Sequence, residues 1–137
     1  MLRDETRARA RALQLLYAWE LRGRPPLEEV VRRLLAGGGR CFRAIEQAEV
    51  LAGDVIAELP RLDREIEQGA EHWRLERIGL IERNVLRIAL YELLTDRVPA
   101  RVAIDEALKL THWFAGAKAP PFVNGILDGV ARRIGRL

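Results

Sequence analysis

The stretch that decides the fold is IGLIERNVLRIALYELL, residues 78–94. If these residues form a helix, apolar side chains occur at almost every angle around its axis. That pattern is typical of a helix that is buried on all sides. The segment therefore predicts a central, buried helix.

Helical spacing of apolar residues recurs on both sides of this segment, and no alternating apolar-polar stretch is long enough for a sheet. We expect helices from Thr6 to Leu21, from Leu27 through Leu35, from Phe42 to Leu59 with a stop at Pro60, through Leu62 and Ile66 toward Trp73, from Ile78 to Leu94, from Val102 to Phe114, and over Val123 to Ile134. The sequence thus predicts an all-α domain of about seven helices.

Length and composition narrow the class of protein. A chain of 137 residues indicates one domain, large enough to bury a substantial core. Apolar runs are only a few residues long, and Asp4 and Glu5 interrupt the start, so we expect neither a membrane span nor a secretory signal. The single cysteine, Cys41, excludes an internal disulfide and fits a reducing cytoplasm.

The basic residues are almost all arginine. Of 23 Lys and Arg residues only Lys109 and Lys118 are lysines, and the formal net charge is +3. Arginine stacks on bases and binds phosphate through a bidentate fork, so this choice favours a nucleic-acid ligand. A GC-rich genome or a hot habitat enriches arginine as well. The positions of the arginines therefore have to decide between these explanations.

The first expected helix carries a cationic stripe beside its apolar face. At about 100° per residue, four polar side chains fall on one narrow line, namely Arg3, Arg7, Arg11 and Gln14. Leu13 and Leu16 lie on the opposite side, and Arg9 stands apart from the line, near them. Cations are unfavourable at a helix N-terminus, which points to a reason other than stability. We expect Arg7 and Arg9 to be mostly exposed and to contact RNA or DNA.

Among the charged residues that interrupt the central helix, Arg87, Glu92 and Glu82 differ in their expected roles. Arg87 and Glu92 are about 140° apart, so they cannot pair with each other on one helix. Since a lone buried charge is very costly, each needs a partner from another element, and both are predicted to be structural. Glu82 lies in the first turn, where a carboxylate is favoured, and is expected to be exposed.

The last segment allows two interpretations. Asn124-Gly125 is a strong turn signal, yet helical apolar spacing continues through it from Val123. If the segment is helical, Phe122 stands at its start, after Pro120-Pro121. An aromatic ring there suits stacking on a base, although filling the core is the alternative role.

Catalysis is not expected. His72 and His112 are isolated, and no histidine or cysteine lies at metal-ligand spacing. Gly37-Gly38-Gly39 lacks the lysine of a phosphate-binding loop, and hydroxyl or thiol nucleophiles are few. We therefore predict a non-enzymatic binding protein with no metal and no cofactor.

Four runs together resemble the NusB family of bacterial transcription antitermination factors. They are RARARALQLLYAWE (7–20), ERNVLRIALYELL (82–94), VPARVAIDEALKLTHWF (98–114) and FVNGILD (122–128). The resemblance implies two packed helical bundles, about 1–60 and about 61–137, within one NusB-like domain. It also implies a role in rRNA transcription within the RNA polymerase antitermination complex. The implied partners are single-stranded boxA-type RNA and a small-subunit ribosomal protein, NusE.

The resemblance also assigns roles to residues. The arginine-rich motif of the family falls on Arg7, Arg9 and Arg11, and the Gln and Tyr after it fall on Gln14 and Tyr17. Its RNA-facing Phe falls on Phe122, and its acidic contact to the ribosomal protein falls on Glu82, with Glu76 as a neighbouring candidate. Some members dimerise, so a homodimer is a further candidate assembly.

This chain departs from the family pattern near Phe122. Many members have Ser-x-Lys/Arg just before that Phe, where this chain has Ala119, Pro120 and Pro121. A phosphate-binding cation is thus missing there, and Lys118 is the candidate replacement. Asp105 adds a negative charge, and His112 stands in place of a lysine.

Two other functions are consistent with the residues. One is a helical adaptor that binds protein only, in which case arginine reflects genome bias. The other is the RNA-binding domain of an rRNA methyltransferase, since NusB-like domains also precede such enzymes. No cofactor-binding half follows within the 137 residues, so we expect a stand-alone factor.

Overall fold

The computed structural model of the protein describes residues 3–38, 44–70 and 74–137. Its elements are α1 (Asp4–Leu21), α2 (Leu27–Gly38), α3 (Ile45–Ala57), α4 (Leu59–Gly69), a 3₁₀ turn (Leu75–Arg77), α5 (Leu80–Leu94), α6 (Ala100–Ala115) and α7 (Pro120–Arg133). These ranges hold seven α-helices and no strand, which confirms the all-α prediction. The chain divides into two compact units, Met1–Ile56 and Ala57–Leu137.

In the first unit, the end of α1 is fixed by a Schellman motif. Gly23 adopts a positive φ of 81°, which glycine reaches without a steric penalty. The Arg24 amide donates to the Trp19 carbonyl at 2.9 Å, the long hydrogen bond of that motif. The Trp19 indole Nε1 also donates to the Pro25 carbonyl at 2.9 Å. The chain is therefore redirected into α2, which packs against α1.

In the second unit, α5 is the central helix. It packs against α4, α6 and α7. Every residue from Asn84 to Leu93 is buried, which confirms the prediction made from the apolar pattern. The other helices of this unit each bury one face, as their helical spacing requires.

Arg87 lies at the centre of α5 with its charge fully compensated. Its Nε donates to Asp63 Oδ1 at 2.8 Å and its Nη2 to Asp63 Oδ2 at 3.0 Å, a bidentate pair with α4. Its Nη1 donates to Asn84 Oδ1 at 2.9 Å, and Asn84 Nδ2 donates to the Leu80 carbonyl at 3.1 Å. The predicted tertiary partner of Arg87 is thus confirmed as Asp63. Glu92 is buried as well.

The end of α7 is tied to the end of α5 through Arg136. Gly135, with a φ of 78°, ends α7 and turns the chain back. Arg136 then donates to the carbonyls of Leu93 and Val98 and pairs with Asp96, its Nη2 lying 2.7 Å from Oδ1. The Leu93 carbonyl is one of the last four of α5, and it also accepts a hydrogen bond from the Asp96 amide at 3.4 Å.

Two expectations about element boundaries need correction or completion. The third helix ends at Ala57 and not at Leu59, because Leu59 begins α4 and Pro60 lies in its first turn, where proline loses no helical hydrogen bond. The last segment is helical through Asn124-Gly125, so the turn interpretation is wrong there.

Some predicted features lie outside the described residues. They are Cys41, His72, the expected start of the third helix at Phe42, and the approach of the fourth toward Trp73. Among the helices within the described ranges, none is long and apolar enough to cross a membrane.

We expect Arg87→Ala to lower the free energy of unfolding by about 3 kcal/mol, because it leaves Asp63 charged, partly buried and unpaired. Arg132→Ala is the matched control, since its pair with Asp128 is exposed, and it should lower the free energy of unfolding much less. Urea denaturation of both variants measures the difference. Similar losses for the two would mean that the Arg87–Asp63 pair has no special structural role.

Candidate nucleic-acid interface

The N-terminal turns of α1 present the predicted arginine stripe. Ala8, Ala12, Leu15 and Leu16 are buried, so this side of the helix is not available to a ligand. On another side, Arg3 is exposed at the N-cap, and Arg7 and Arg11 are half-buried with Gln14. Neither Arg3 nor Arg7 has an ion-pair partner within the described ranges. We call Arg3, Arg7, Arg11 and Gln14 the arginine stripe.

Arg9 does not belong to the exposed surface. It is only 6% exposed, so the expectation that it projects into solvent is wrong. The reason is its angle on α1. Leu13 and Leu16 follow it by four and seven residues, which places all three on the same side of the helix. That side faces the core, and Arg9 is buried with it.

Within the stripe, one hydrogen bond orders the second half. Arg11 Nη1 donates to Gln14 Oε1 at 2.8 Å across one helical turn. The bond holds the guanidinium along the helix, which limits the entropy lost when a ligand binds. One turn further, Tyr17 is 39% exposed and offers an aromatic surface next to the stripe.

Lys118 and Phe122 form a second group, in the second unit. Gly116, with a φ of 98°, ends α6, and Pro120 starts α7. Lys118 lies exposed in the short connection and forms no ion pair with any described residue. Phe122 is half-buried at the start of α7, as the helical interpretation predicted. A cation and an aromatic ring therefore flank the same helix start.

Further along α7, the exposed side is polar. Asn124 is exposed, and Asp128 pairs with Arg132 at 2.9 Å. The hydrogen bond from Arg132 and the charge of Asp128 raise the pKa of the Arg132 guanidinium. A Cβ built at Gly125 or Gly129 would have no described atom within 4 Å, so this surface is open to a partner.

Glu76 and Glu82 flank the start of α5. Glu76 is exposed in the 3₁₀ turn. Glu82 is half-buried and not fully exposed as expected, because its carboxylate folds back over Gly79, where an added Cβ would lie 2.6 Å from Oε1. Arg83, which the sequence did not single out, has its Nε buried with no hydrogen-bond partner among the described residues. A mixed-charge surface thus surrounds this helix start.

The described residues contain no group of three or more His, Cys, Asp or Glu side chains that could hold a metal ion. The predicted site residues instead fall into three groups. The arginine stripe with Tyr17 lies on α1, Lys118 and Phe122 lie at the start of α7, and Glu76 and Glu82 lie at the start of α5.

The chain is similar to known proteins over nearly its whole length. The NusB family model matches residues 6–132. The transcription antitermination protein NusB of Solibacter usitatus is 39% identical over 131 residues, which cover 93% of this chain and 88% of that protein. Among solved structures, NusB of T. maritima is 33% identical, with a TM-score of 0.81 over 96% of this chain and 93% of that one. A structure of antitermination factors NusB and NusE in complex with dsRNA is 29% identical, with a TM-score of 0.81 over 97% of this chain and 99% of that one. With its sequence, fold and length all matching, the chain belongs to the NusB family.

Proposed function

We propose that the protein is an RNA-binding transcription antitermination factor that acts in rRNA transcription. In this proposal it binds single-stranded boxA-type RNA together with a small-subunit ribosomal protein, NusE, within the RNA polymerase antitermination complex. Its role is binding and not catalysis, and its place of action is the cytoplasm. The observation that carries the proposal is the arginine stripe of α1, which holds cations without acidic partners for Arg3 and Arg7.

The stripe has the chemistry of a phosphate-binding surface. Guanidinium groups on successive turns are about 5–6 Å apart along the axis, so they can contact successive phosphates of one strand. Tyr17 and Phe122 supply rings on which unpaired bases can stack. Aromatic stacking needs splayed bases, and this favours single-stranded RNA over a duplex.

The similarity to known structures supports the same proposal. One of the matching structures contains NusB and NusE in complex with dsRNA, which supports RNA binding together with NusE, whereas the preference for a single strand rests on the aromatic rings. The arginine stripe belongs to the first unit, and Glu76 and Glu82 belong to the second, so we assign the RNA and the basic protein to different residues. A basic ribosomal protein complements these carboxylates by charge.

We expect Arg3→Ala with Arg7→Ala to weaken binding to boxA-type RNA while leaving the melting temperature nearly unchanged. The slope of log K against log salt should fall by about 0.7 for each lost phosphate contact, so by about 1.4 for the double variant. Fluorescence anisotropy at several salt concentrations measures both quantities. Arg9 is left intact because its removal would disturb the core.

The matched control is Arg64→Ala with Arg101→Ala, which removes the same charge from exposed positions on α4 and α6. It should change the salt slope little. If the stripe variant and the control behave alike, net charge explains binding and the stripe is not the RNA site.

We expect Glu82→Lys to weaken association with NusE more than it weakens binding to RNA alone. A half-buried charge at an interface costs roughly 2–5 kcal/mol when it is reversed or left unpaired, whereas a rim charge mainly changes the on-rate. Calorimetric titration with purified NusE measures the affinity. Glu82→Gln removes the negative charge without adding a positive one, so its NusE affinity separates the loss of attraction from the repulsion that Lys introduces.

Glu67→Lys, an exposed reversal on α4, is the control for net charge. Unchanged NusE affinity in Glu82→Lys, with normal folding, would place the protein interface elsewhere. Glu76→Lys would then be tested in the same way.

A further inference from the structure

A small cavity lies at the turn between α1 and α2, at the end of α1 remote from the arginine stripe. Its volume is about 280 Å³, and it is lined by Arg22, Pro25, Glu29, Val30 and Arg33. Val30 is only 2% exposed, whereas Arg22 and Arg33 are exposed. The cavity therefore combines an apolar inner surface with two guanidinium groups.

The wall of the cavity is held in one conformation. The buried Trp19 donates its indole hydrogen to the Pro25 carbonyl at 2.9 Å. The Arg24 guanidinium lies over the Trp19 ring, 5.1 Å from its centroid, and Arg24 has a positive φ of 62°. A left-handed arginine is uncommon and persists only where the surroundings impose it. The site is thus formed before any ligand arrives.

The two arginines of the cavity are available to an anion. The guanidinium of Arg22 has no hydrogen-bond or ion-pair partner among the described residues. Arg33 Nη2 lies 3.4 Å from Glu29 Oε1, a long contact between side chains that are 59% and 39% exposed. Exposed pairs of this kind contribute little. A phosphate group, which guanidinium binds in a bidentate way, can therefore compete with Glu29 for Arg33.

Around α1, Arg22 follows the gradual turn of the three arginines of the stripe. It lies about 20° from Arg11, about 60° from Arg7 and about 100° from Arg3. Arg7 and Arg22 are about 22 Å apart along the axis, since a helix rises about 1.5 Å per residue. An RNA strand that binds the stripe and continues toward the C-terminal end of α1 would reach the cavity.

We propose that this cavity binds a phosphate group of the RNA strand held by the arginine stripe, so that the RNA path runs the full length of α1. The inference rests on the RNA-binding function proposed above. An acidic protein segment offers the same charge, but the alignment with the stripe favours RNA.

The test compares a short boxA-type RNA with the same RNA extended by uridines at either end, long enough to add about 22 Å of path along α1. Wild-type protein should bind one of the extended RNAs roughly tenfold more tightly than the short RNA, the gain expected from a charged hydrogen-bonded contact. Arg22→Gln with Arg33→Gln should abolish this advantage and leave the affinity for the short RNA unchanged. The NMR signal of the Trp19 indole should shift only with the extended RNA.

Two further variants serve as a charge-matched control and as a test for stronger binding. Arg32→Gln with Arg64→Gln removes the same charge outside the cavity lining and should keep the advantage. Glu29→Gln should increase it, because Arg33 is released and a negative charge is removed.

An advantage that survives in Arg22→Gln with Arg33→Gln, or one that falls in Glu29→Gln, would overturn the inference. So would equal affinity of wild type for all the RNAs, or a shift of the Trp19 signal by a polyglutamate peptide as large as that caused by RNA. The stripe variants test the proposed RNA-binding function separately, through their affinity for the short RNA. Failure of the cavity proposal is therefore distinguishable from failure of the proposed function.

Discussion

A buried arginine at the centre of α5 requires a carboxylate partner from another helix of the second unit. The Arg87 side chain is 1% exposed, and its charge requires a carboxylate from another helix. Asp63 of α4 supplies it with two hydrogen bonds, and Asn84 supplies the third. Because desolvation offsets much of the attraction in a buried pair, we infer that its main effect is to specify how α4 and α5 are arranged.

The packing of the second unit follows from that arrangement. α4 also packs against α7, and Arg136 ties the end of α7 to the end of α5. The start of α7 carries Phe122, next to the exposed Lys118. We infer that the position of these two binding candidates within their unit depends on the Arg87–Asp63 pair.

Much of the fold could be predicted from the sequence, because the spacing of apolar residues along a helix indicates which side is buried. The apolar segment 78–94 predicted the central helix, and the need for a partner predicted that Arg87 would be paired. Asp63 itself could not be predicted, since its spacing of 24 residues from Arg87 follows no local rule. Arg9 was assigned wrongly because its membership in an arginine-rich run outweighed its angle, which placed it beside Leu13. The cavity at Arg22 was missed because it depends on tertiary geometry at a turn.

The most direct test of the account is to map backbone amide shifts of the full chain by NMR on addition of single-stranded boxA-type RNA. The account predicts that the largest changes fall on residues 3–14 and on the amides of Lys118, Ala119 and Phe122, with little change in α4. Shifts confined to α3 and α4, with residues 3–14 unaffected, would contradict the claim that the arginine stripe binds RNA.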